Sequence, residues 1–347
     1  MEYRDLAPDY RISRVIRGGW QLAGGHGPVD RDDAIADMAA FAEAGIVTFD
    51  CADIYTGVEA MIGDFRAAFG ATYGKAALGR IHVHTKCVPD LAILPRLRKA
   101  DIEAIIDQSL MRLKMERLDL VQFHWWDYAE PRYVEAAVWL DELRQAGKIR
   151  FVSGTNFDCE RVRAILAAGV PLRTLQVQYS VLDQRPEKEL VALAAENGID
   201  LLCYGTVAGG FLGERWLGAT EPEHPLENRS LTKYKLIIED FGGWDLFQEL
   251  LATLARIGAK HGADIATVAS RWTLDRPGVA AVIVGARSRA HLARNLAIGA
   301  LTLDDEDRAA IDAVIAKGRG LEGDVYTLER DRTGRHGSIM KYNLNAQ

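Results

Sequence analysis

The stretch RFVSGTNFDCERVRAILAAGVPLRTLQVQY, residues 150–179, contains two short runs typical of buried strands and one helical segment between them. The runs at 150–156 and 174–179 are brief, contain β-branched or aromatic residues and end in polar residues. Residues 158–168 have the apolar spacing of an amphipathic helix. A strand, a helix and a second strand in this order predict a parallel pair joined by a helical crossover.

The same alternation continues in both directions along the chain. Further strand candidates are residues 14–20, 47–50, 82–86, 118–124, 200–206 and 281–285, and further helix candidates are 31–44, 58–69, 99–113, 132–146, 186–197, 245–274 with a break at Gly262, and 288–298. Eight strand-then-helix units favour a closed (β/α)8 barrel over an open doubly wound sheet. We therefore expect a single α/β domain over residues 1–347, with its barrel core at about 14–300.

Two segments lie outside this repeat. Residues 209–243, after the seventh strand of the barrel, are expected to form a long inserted loop. Residues 304–317 are expected to form a further helix, followed by a polar tail at 318–347. Loop and tail are expected on the side of the barrel where the strands end, and long loops at such a place often act as lids or specificity elements.

The composition excludes several classes of protein. The 347 residues include 42 Lys and Arg against 49 Asp and Glu, and the resulting net charge of −7 argues against a nucleic-acid binder driven by positive charge. No apolar run approaches the roughly 18 residues of a membrane span, and residues 1–13 contain no apolar core of a signal peptide. The four cysteines have no CxxC spacing, which argues against a zinc site or a disulfide framework. We expect a cytoplasmic protein without membrane or nucleic-acid partners.

The glycine-rich segment GGWQLAGGHG, residues 18–27, is not a dinucleotide-binding fingerprint, because it contains no GxGxxG. The chain also has no GxxxxGK[ST] motif for phosphates. Any nucleotide must therefore be held in another way.

Polar side chains stand at successive strand ends. They are Asp50, Lys86, His124, Asn156, Gln176 or Gln178, and Tyr204. The C-terminal strand ends of such a barrel form its active-site face. Core hydrogen bonding would explain any one of these residues, whereas six in succession predict a site.

Two chemistries are compatible with individual residues of this set. Lys86 alone could be a Schiff-base lysine, as in barrel aldolases. His82, His84 and Lys86 share one strand face, as the first ligands of a metal site often do. No second ligand cluster accompanies them, so interior histidines below the site are the favoured interpretation and no metal is expected.

The stretch TFDCADIYTGVEAMIG, residues 48–63, resembles the signature of the aldo-keto reductase family. In that signature an Asp at a strand end is followed five residues later by Tyr and then by Gly, and here these residues are Asp50, Tyr55 and Gly57. The segments HTKC, DLVQFHWWD, IRFVSGTNF, LQVQYS and VIVGARSRAHLARNL are similar to further family segments. Together the matches run in family order over residues 18–296, which is most of the chain.

The resemblance implies hydride transfer between a nicotinamide and a carbonyl carbon, with Asp50, Tyr55, Lys86 and His124 as catalytic residues. Tyr55 would donate a proton to the carbonyl oxygen. Because the pKa of a free tyrosine is about 10, Lys86 is expected to lower it. Asp50 would pair with Lys86, and His124 would hydrogen-bond and orient the carbonyl oxygen.

The resemblance also implies a cofactor site in which Tyr204 stacks on the nicotinamide ring while Thr155, Asn156 and Gln176 hold its carboxamide. The complete set of expected cofactor contacts is Trp20, Thr155, Asn156, Gln176, Tyr204, Gly205, Thr206, Val207, Gly209, Leu212, Gly285, Ala286, Arg287, His291 and Asn295. Two segments depart from the family pattern. Thr155 replaces a serine and keeps a hydroxyl, whereas Gly205 replaces a serine and loses one expected side-chain contact to the cofactor diphosphate.

The cofactor is expected to be NADP(H), with NAD(H) as the alternative. Arg287 stands where the resembling segments carry a basic residue for the adenosine phosphate, at the start of the last barrel helix. A helix N-terminus favours a phosphate through its free amide groups and dipole. Arg294 adds a second positive charge nearby.

The expected substrate is a small aldehyde or ketone, with Trp20 and Trp125 as walls of its pocket and Trp126 as a further candidate wall. Three alternatives stay open at this point. They are an NAD-linked aldose dehydrogenase running in the oxidative direction, a nucleotide-binding regulatory subunit with little turnover, and the lysine aldolase already mentioned.

Overall fold

Strands alternate with helices through residues 1–345, the part of the chain that the computed structural model describes. The strands are β1 Tyr3–Ala7, β2 Tyr10–Ser13, β3 Val15–Gly18, β4 Thr48–Asp50, β5 His82–Cys87, β6 Leu118–Phe123, β7 Ile149–Thr155, β8 Thr174–Gln178, β9 Asp200–Tyr204 and β10 Val279–Gly285. The α-helices are α1 Arg31–Glu43, α2 Val58–Leu78, α3 Lys99–Leu113, α4 Tyr133–Gln145, α5 Cys159–Ala167, α6 Arg185–Lys188, α7 Leu190–Glu196, α8 Arg229–Phe241, α9 Trp244–His261, α10 Ile265–Leu274, α11 Leu292–Ala300, α12 Asp305–Ile315 and α13 Thr327–Arg330. None of these helices is both long and apolar enough to cross a membrane.

Strands β3 to β10 form a closed parallel barrel in which β10 pairs with both β9 and β3. In the unit quoted first, Thr155 of β7 pairs with Gln176 of β8. The helix α5 between these strands is capped at its N-terminus by Asp158, whose carboxylate accepts a hydrogen bond from the backbone N–H of Arg161. The (β/α)8 prediction is therefore confirmed, and the barrel brings the C-terminal ends of its strands together at one mouth.

Most helix boundaries follow the sequence pattern, but helix α2 continues to Leu78, well beyond its predicted end at residue 69, and two further predicted helices differ in detail. The break expected at Gly262 separates α9 from α10, where Gly262 has a left-handed backbone. The helix expected at 186–197 is divided into α6 and α7 at Glu189, which has a non-helical φ of −150°. The last barrel helix begins with a 3-10 turn at Arg289–His291 before α11.

An antiparallel hairpin of β1 and β2, which the sequence pattern did not predict, closes the N-terminal end of the barrel. Its residues Leu6, Tyr10 and Ile12 pack against barrel residues that include Ile16 and Leu120. The hairpin escaped prediction because the first three residues of β1 are exposed and show no apolar alternation. Since this end is plugged, a ligand must enter from the opposite mouth.

The segment 209–243 is inserted after β9 as expected, but it is wrong to describe all of it as a loop. Its second half contains helix α8, which is capped at its N-terminus by Asn228, whose side chain accepts a hydrogen bond from the Leu231 N–H. The helix forms because its apolar residues recur with helical spacing and are buried on one face: Leu231, Tyr234, Ile237, Ile238 and Phe241.

The polar tail after α12 folds back over the barrel. Glu329 of α13 accepts hydrogen bonds from both terminal nitrogens of Arg185, at 3.0 and 3.1 Å. Arg185 also pairs with Asp183 at 2.7 Å, and the side chains of all three residues are almost inaccessible to solvent. Burial raises the pKa of Glu329, but Arg185 and Lys233 outweigh this effect and bring it down to about 2. The tail is thus fixed by a buried ion pair.

Candidate active site

A cavity of about 280 Å³ opens at the C-terminal ends of the barrel strands. All four expected catalytic residues line it: Asp50, Tyr55, Lys86 and His124. Other parts of its wall come from α8 and from the tail. The barrel therefore brings together residues that lie far apart in the sequence.

Asp50 and Lys86 form a buried ion pair between neighbouring strands β4 and β5. Lys86 Nζ donates to Asp50 Oδ2 and to the backbone oxygen of Cys51, each at 2.8 Å. Burial alone would lower the pKa of Lys86, but the Asp50 carboxylate outweighs it and raises the pKa above its ordinary value. Lys86 therefore stays an ammonium, which disfavours the aldolase alternative because a Schiff base requires a neutral amine.

The second carboxylate oxygen of Asp50 is also held. Gln122 Nε2 donates to Oδ1 at 2.9 Å and Gln176 Nε2 donates to it at 2.6 Å. Gln176 lines the cavity, but its amide nitrogen faces Asp50 and is not free for a carboxamide. Gln122 was missed in the sequence, although the period of two along β6 places it on the same face as His124.

Tyr55 lies in the turn between β4 and α2, with its ring 4.9 Å from Lys86 Nζ. Its other neighbour is Trp20, whose ring centre lies 5.1 Å away. Burial raises the pKa of Tyr55, and the Lys86 ammonium lowers it only in part. Lys86 thus acts in the expected direction, but burial outweighs it and the net pKa of Tyr55 is above its ordinary value.

His124 follows β6 and is buried as a neutral ring. Its Nδ1 lies 3.2 Å from the carbonyl oxygen of Thr155, a geometry in which Nδ1–H donates. Burial and the nearby Arg330 lower its pKa to about 3. Its Nε2 is buried and has no partner within residues 1–345, and in this tautomer it is a hydrogen-bond acceptor.

Tyr204 and Asn156 form one wall of the cavity at the ends of β9 and β7. The Tyr204 hydroxyl donates to Asn156 Oδ1 at 2.8 Å. Asn156 has a left-handed backbone with φ of 61°, which asparagine tolerates better than most residues. The neighbouring Thr155 hydroxyl is buried and unpaired within the described chain. The side chains of Tyr204 and Asn156 are therefore fixed at the cavity, and the hydroxyl of Thr155 offers a polar atom without a partner in the described chain.

Gly205 occupies the position at which the family pattern has a serine, and α8 explains the change. Its φ is 84°, and a Cβ placed on it would lie 2.6 Å from the hydroxyl of Tyr234. Tyr234 belongs to α8 and lines the cavity. A side chain at Gly205 would therefore be both strained and in collision with α8.

The other expected contacts after β9 are divided between the cavity and the core. Gly205, Val207 and Gly209 line the cavity. The Thr206 hydroxyl instead lies 3.0 Å from the hydroxyl of Ser270, and Leu212 is buried in the core.

In the segment after β10, Arg287 is a basic residue that has no acidic partner within residues 1–345. Arg287 is exposed, and its guanidinium donates to the backbone oxygen of Pro28 at 2.8 Å. Arg294 is ion-paired with Asp264, so the expectation that it adds a free charge is wrong.

The other expected cofactor contacts of this segment have separate surroundings. Gly285 lines the cavity, while the backbone oxygen of Ala286 accepts a hydrogen bond from Arg17 at 3.1 Å. His291 Nδ1 lies 3.2 Å from the backbone oxygen of Ser288. Asn295 is buried, and within residues 1–345 its Nδ2 has no partner.

The tryptophans of the expected substrate pocket are separated by the structure. Trp20 lines the cavity, but Trp125 does not and is fully buried in the core. The indole N–H of Trp125 donates to the backbone oxygens of Asp127 and Glu130, both at 2.9 Å, which turns the ring away from the mouth. Trp126 lines the cavity in its place.

The tail supplies cavity residues that no sequence motif indicated. Tyr326 has a left-handed φ of 61°, and its ring centre lies 5.6 Å from that of His124 in an edge-on contact. Met340 and Leu344 also line the cavity. Arg330 holds this part of the tail by donating to the backbone oxygen of Asn156 at 2.7 Å. Strand-end reasoning cannot find such residues because they lie after the barrel.

The histidines His82 and His84 lie at the closed end of the barrel, away from the cavity wall. His84 Nε2 is 3.1 Å from the hydroxyl of Tyr10, which belongs to the hairpin. Neither histidine belongs to the groups of potential metal ligands found within residues 1–345. They are packed interior residues, as the favoured interpretation of their pattern proposed.

Comparison with known proteins identifies a family that the chain matches over most of its length. Residues 14–316 match the model of the Aldo/keto reductase family. The chain is similar to aldo-keto reductase YhdN of Bacillus subtilis, with 28% identity over 91% of this chain and 94% of that protein. It is also similar to the NADH-specific methylglyoxal reductase of Escherichia coli, with 26% identity over 86% of this chain and 93% of that protein.

A solved structure shows the same relationship. The glycerol dehydrogenase AKR11B4 from Gluconobacter oxydans is 25% identical, with a TM-score of 0.75 over 93% of this chain and 97% of that one. The barrel, the family match and these relatives agree. The chain belongs to the aldo/keto reductase family of oxidoreductases, whose members use nicotinamide cofactors and act on small carbonyl substrates.

Proposed function

We propose that this protein reduces small aldehydes or ketones to alcohols by hydride transfer and that Tyr55 donates the proton. The observation that supports this most directly is the chain of contacts from Asp50 through Lys86 to the ring of Tyr55, beside His124 in one cavity wall. A phenol next to a fixed ammonium suits proton donation to an oxygen that gains negative charge.

Each member of this chain has its own task. Tyr55 transfers the hydroxyl proton, and the Lys86 charge stabilises the phenolate that is left. Asp50 keeps Lys86 charged and in place, while Gln122 and Gln176 fix the orientation of the Asp50 carboxylate. Removing such a proton donor lowers turnover by about 10²- to 10⁴-fold.

The cavity fits a nicotinamide. The Tyr204 ring offers a stacking surface, and the unpaired Thr155 hydroxyl and the Asn156 amide offer polar groups for a carboxamide. When it is bound, the nicotinamide supplies or accepts the hydride. Gln176 contributes indirectly, because its amide nitrogen is bonded to Asp50.

We further infer a preference for NADP(H). Arg287 is exposed beside the first turn after β10, and within residues 1–345 it makes one hydrogen bond, to Pro28, which leaves other N–H groups for a phosphate. Arg294 does not contribute, since it is paired with Asp264. One relative is named as NADH-specific, so this preference must be measured for this chain.

Alcohol oxidation is the second candidate function, and the tautomer of His124 favours it. With Nδ1–H bonded to Thr155, Nε2 accepts hydrogen bonds, and an alcohol hydroxyl can donate to it whereas a carbonyl oxygen cannot. The Tyr55 phenolate would then act as the base. The solved relative named as a glycerol dehydrogenase is consistent with this direction.

A panel of aldehydes and ketones with NADPH and NADH, followed by absorbance at the nicotinamide band, tests the proposal. A parallel panel of alcohols and sugars with NADP⁺ and NAD⁺ tests the oxidative alternative. We expect turnover of carbonyl compounds. Nucleotide binding without turnover in either direction would contradict both proposals and support a regulatory subunit.

A further inference from the structure

Lys233 of α8 is a cation at the cavity whose hydrogen-bonding capacity is not used. Its side chain is only 15% exposed and lines the same cavity as the catalytic residues. Its ammonium lies 5.1 Å from the ring centre of Tyr204 and 5.8 Å from that of Tyr326. Within residues 1–345 it makes no direct hydrogen bond, although an ammonium has three N–H donors.

The carboxylate nearest to Lys233 does not satisfy it. Glu329 Oε1 lies 3.9 Å from Nζ, beyond hydrogen-bond range, and both of its oxygens accept hydrogen bonds from Arg185. Burial lowers the pKa of Lys233, and Glu329 only partly offsets this effect. A buried ammonium with unused donors is costly unless a ligand supplies the missing acceptor.

The charges on the cavity wall point to the kind of ligand. Four cations line it, Lys86, Arg229, Lys233 and Lys341, against one acid, Asp50. Because Asp50 is paired with Lys86, three cations are left without a matching acid on the described wall. Such a wall attracts an anion.

We propose that Lys233 binds an acidic group of the substrate, a carboxylate or a phosphate, so that the protein prefers carbonyl compounds that carry an anion. This inference rests on the proposed function and names its substrate class. Arg229 and Lys341 provide the surrounding positive potential.

The position of Lys233 favours the substrate over the cofactor phosphates as the source of the anion. The Lys233 ammonium and the ring of His124, beside which the reacting carbonyl is expected, both lie close to the ring of Tyr326, at 5.8 and 5.6 Å from its centre. Arg287, the expected contact of the adenosine phosphate, instead lies beyond β10 beside Pro28. A short acid can therefore reach Lys233 from the reacting centre.

Two matched substrate pairs test the proposal. They are butanal with 4-oxobutanoate, and glyceraldehyde with glyceraldehyde 3-phosphate, compared by kcat/KM in the wild type and in Lys233→Met and Lys233→Arg. We expect the wild type to prefer the anion in at least one pair, which also distinguishes carboxylate from phosphate. Lys233→Met should lower kcat/KM for that anion by about 10- to 100-fold, mainly through KM, and leave its neutral partner nearly unchanged. Lys233→Arg should keep most of the preference.

Cofactor affinity and stability provide the independent readouts. Quenching of tryptophan fluorescence, with Trp20 and Trp126 in the cavity wall, gives the Kd of the cofactor, and a thermal scan gives Tm. Lys317→Met, an exposed lysine outside the cavity wall, is the control. If Lys233→Met does not fold, Lys233→Gln replaces it, since it keeps a polar end without the charge.

Several results would overturn the inference. An equal loss for both members of each pair together with weaker cofactor binding would assign Lys233 to the cofactor. A lower Tm with unchanged preference would make Lys233 only a counter-charge to Glu329. Turnover without any preference for anions contradicts the inference alone, whereas a wild type that turns over none of the four compounds contradicts the proposed function as well.

Discussion

Two opposing effects act on the pKa of the Tyr55 hydroxyl. Its burial away from water raises the pKa, and the neighbouring Lys86 ammonium lowers it. Burial is the larger effect, and the Lys86 ammonium offsets it in part. A phenol in this state is protonated at neutral pH, which suits the donor of the reductive direction. The nearby ammonium then matters most when the proton leaves, since it stabilises the phenolate.

Replacing Tyr55 with Phe isolates this role because the ring and its contact with Trp20 can be kept. We expect kcat to fall by about 10²- to 10⁴-fold, the usual contribution of general acid catalysis. Cofactor Kd, measured by fluorescence titration, should be nearly unchanged. A mutant that retains more than about a tenth of wild-type kcat would show that another group donates the proton.

Arg287→Ala tests the proposed preference for NADP(H). In the described part of the chain its exposed guanidinium makes one hydrogen bond, so the substitution should change stability little. We expect the affinity for NADP(H) to fall by about 10- to 100-fold and that for NAD(H) to change little, since a charge-assisted hydrogen bond contributes about 1.5–3 kcal/mol. An unchanged ratio of the two affinities would remove Arg287 from the phosphate site. The matched control is Arg289→Ala, because Arg289 lies two residues further along the chain and is paired with Asp37.

Individual site residues differ in how far the sequence predicts them. Asp50, Lys86 and His124 could be predicted because parallel strands of a barrel must end at one mouth. Trp125 and Trp126 could not be distinguished, since adjacent residues after a strand point in different directions that depend on the local turn. Only the hydrogen bonds of the Trp125 indole show which ring enters the core.

At the scale of elements, α8 reaches across the cavity to the loop between β3 and α1. Ser230 in the first turn of α8 lies 3.3 Å from the indole nitrogen of Trp20 and 3.1 Å from His26 Nε2. Residues on both sides of this contact line the cavity. A cofactor must therefore pass beneath or beside this contact, which suits a lid.

We expect saturating cofactor to protect residues 209–243 from proteolysis, because the bound molecule would hold α8 against the loop after β3. Limited digestion with and without NADPH, followed by mass spectrometry of the fragments, measures this directly. Ser230→Ala should weaken the protection, since it removes the hydroxyl that lies near both Trp20 and His26. Equal cleavage of the segment in both states would contradict a lid.

The tail is fixed by charge, and Glu329→Gln should release it. The substitution leaves a buried Arg185 with one carboxylate, Asp183, and breaking a buried ion pair costs about 3–5 kcal/mol. We expect a lower Tm and faster proteolysis after residue 318. Glu322→Gln, an exposed acid of the same tail, should change neither, and equal behaviour of the two variants would contradict the proposed anchoring.

These two elements show where sequence patterns reach their limit. The helical spacing of α8 was present in the sequence, but the surrounding polar segment hid it within a predicted loop. The tail has only the short helix α13, and it is held by contacts with distant residues, among them the pairing of Glu329 with Arg185 and the hydrogen bond from Arg330 to Asn156. Local pattern cannot reveal an ion pair between residues separated by more than a hundred positions.

On the scale of the whole molecule, buried histidines link folding to pH. Burial lowers the pKa of His84 and of His124 to about 3 and that of His82 to about 4. An unfolded chain binds a proton on each at a pKa of about 6.5, so between these values the unfolded state holds more protons. The contribution of these histidines to the free energy of unfolding is therefore fully present above about pH 6.5 and is lost progressively as the pH falls toward 3. Asp53, whose pKa burial raises to about 7, acts in the opposite sense over part of this range.

The difference in the free energy of unfolding between the wild type and His84→Gln measures the contribution of His84. The effects of acids such as Asp53 are present in both proteins and cancel in this difference. We propose that the chain folds as one domain, and a single unfolding transition in urea is therefore expected at each pH. Between about pH 4 and 6 the free energy of unfolding of the wild type should fall more steeply with acidification than that of the variant, by about 1.4 kcal/mol per pH unit, the value for one proton. The exposed His224→Gln should leave the wild-type slope unchanged. Parallel slopes for the wild type and His84→Gln would mean that His84 is protonated in the folded barrel, contrary to its complete burial beside Tyr10.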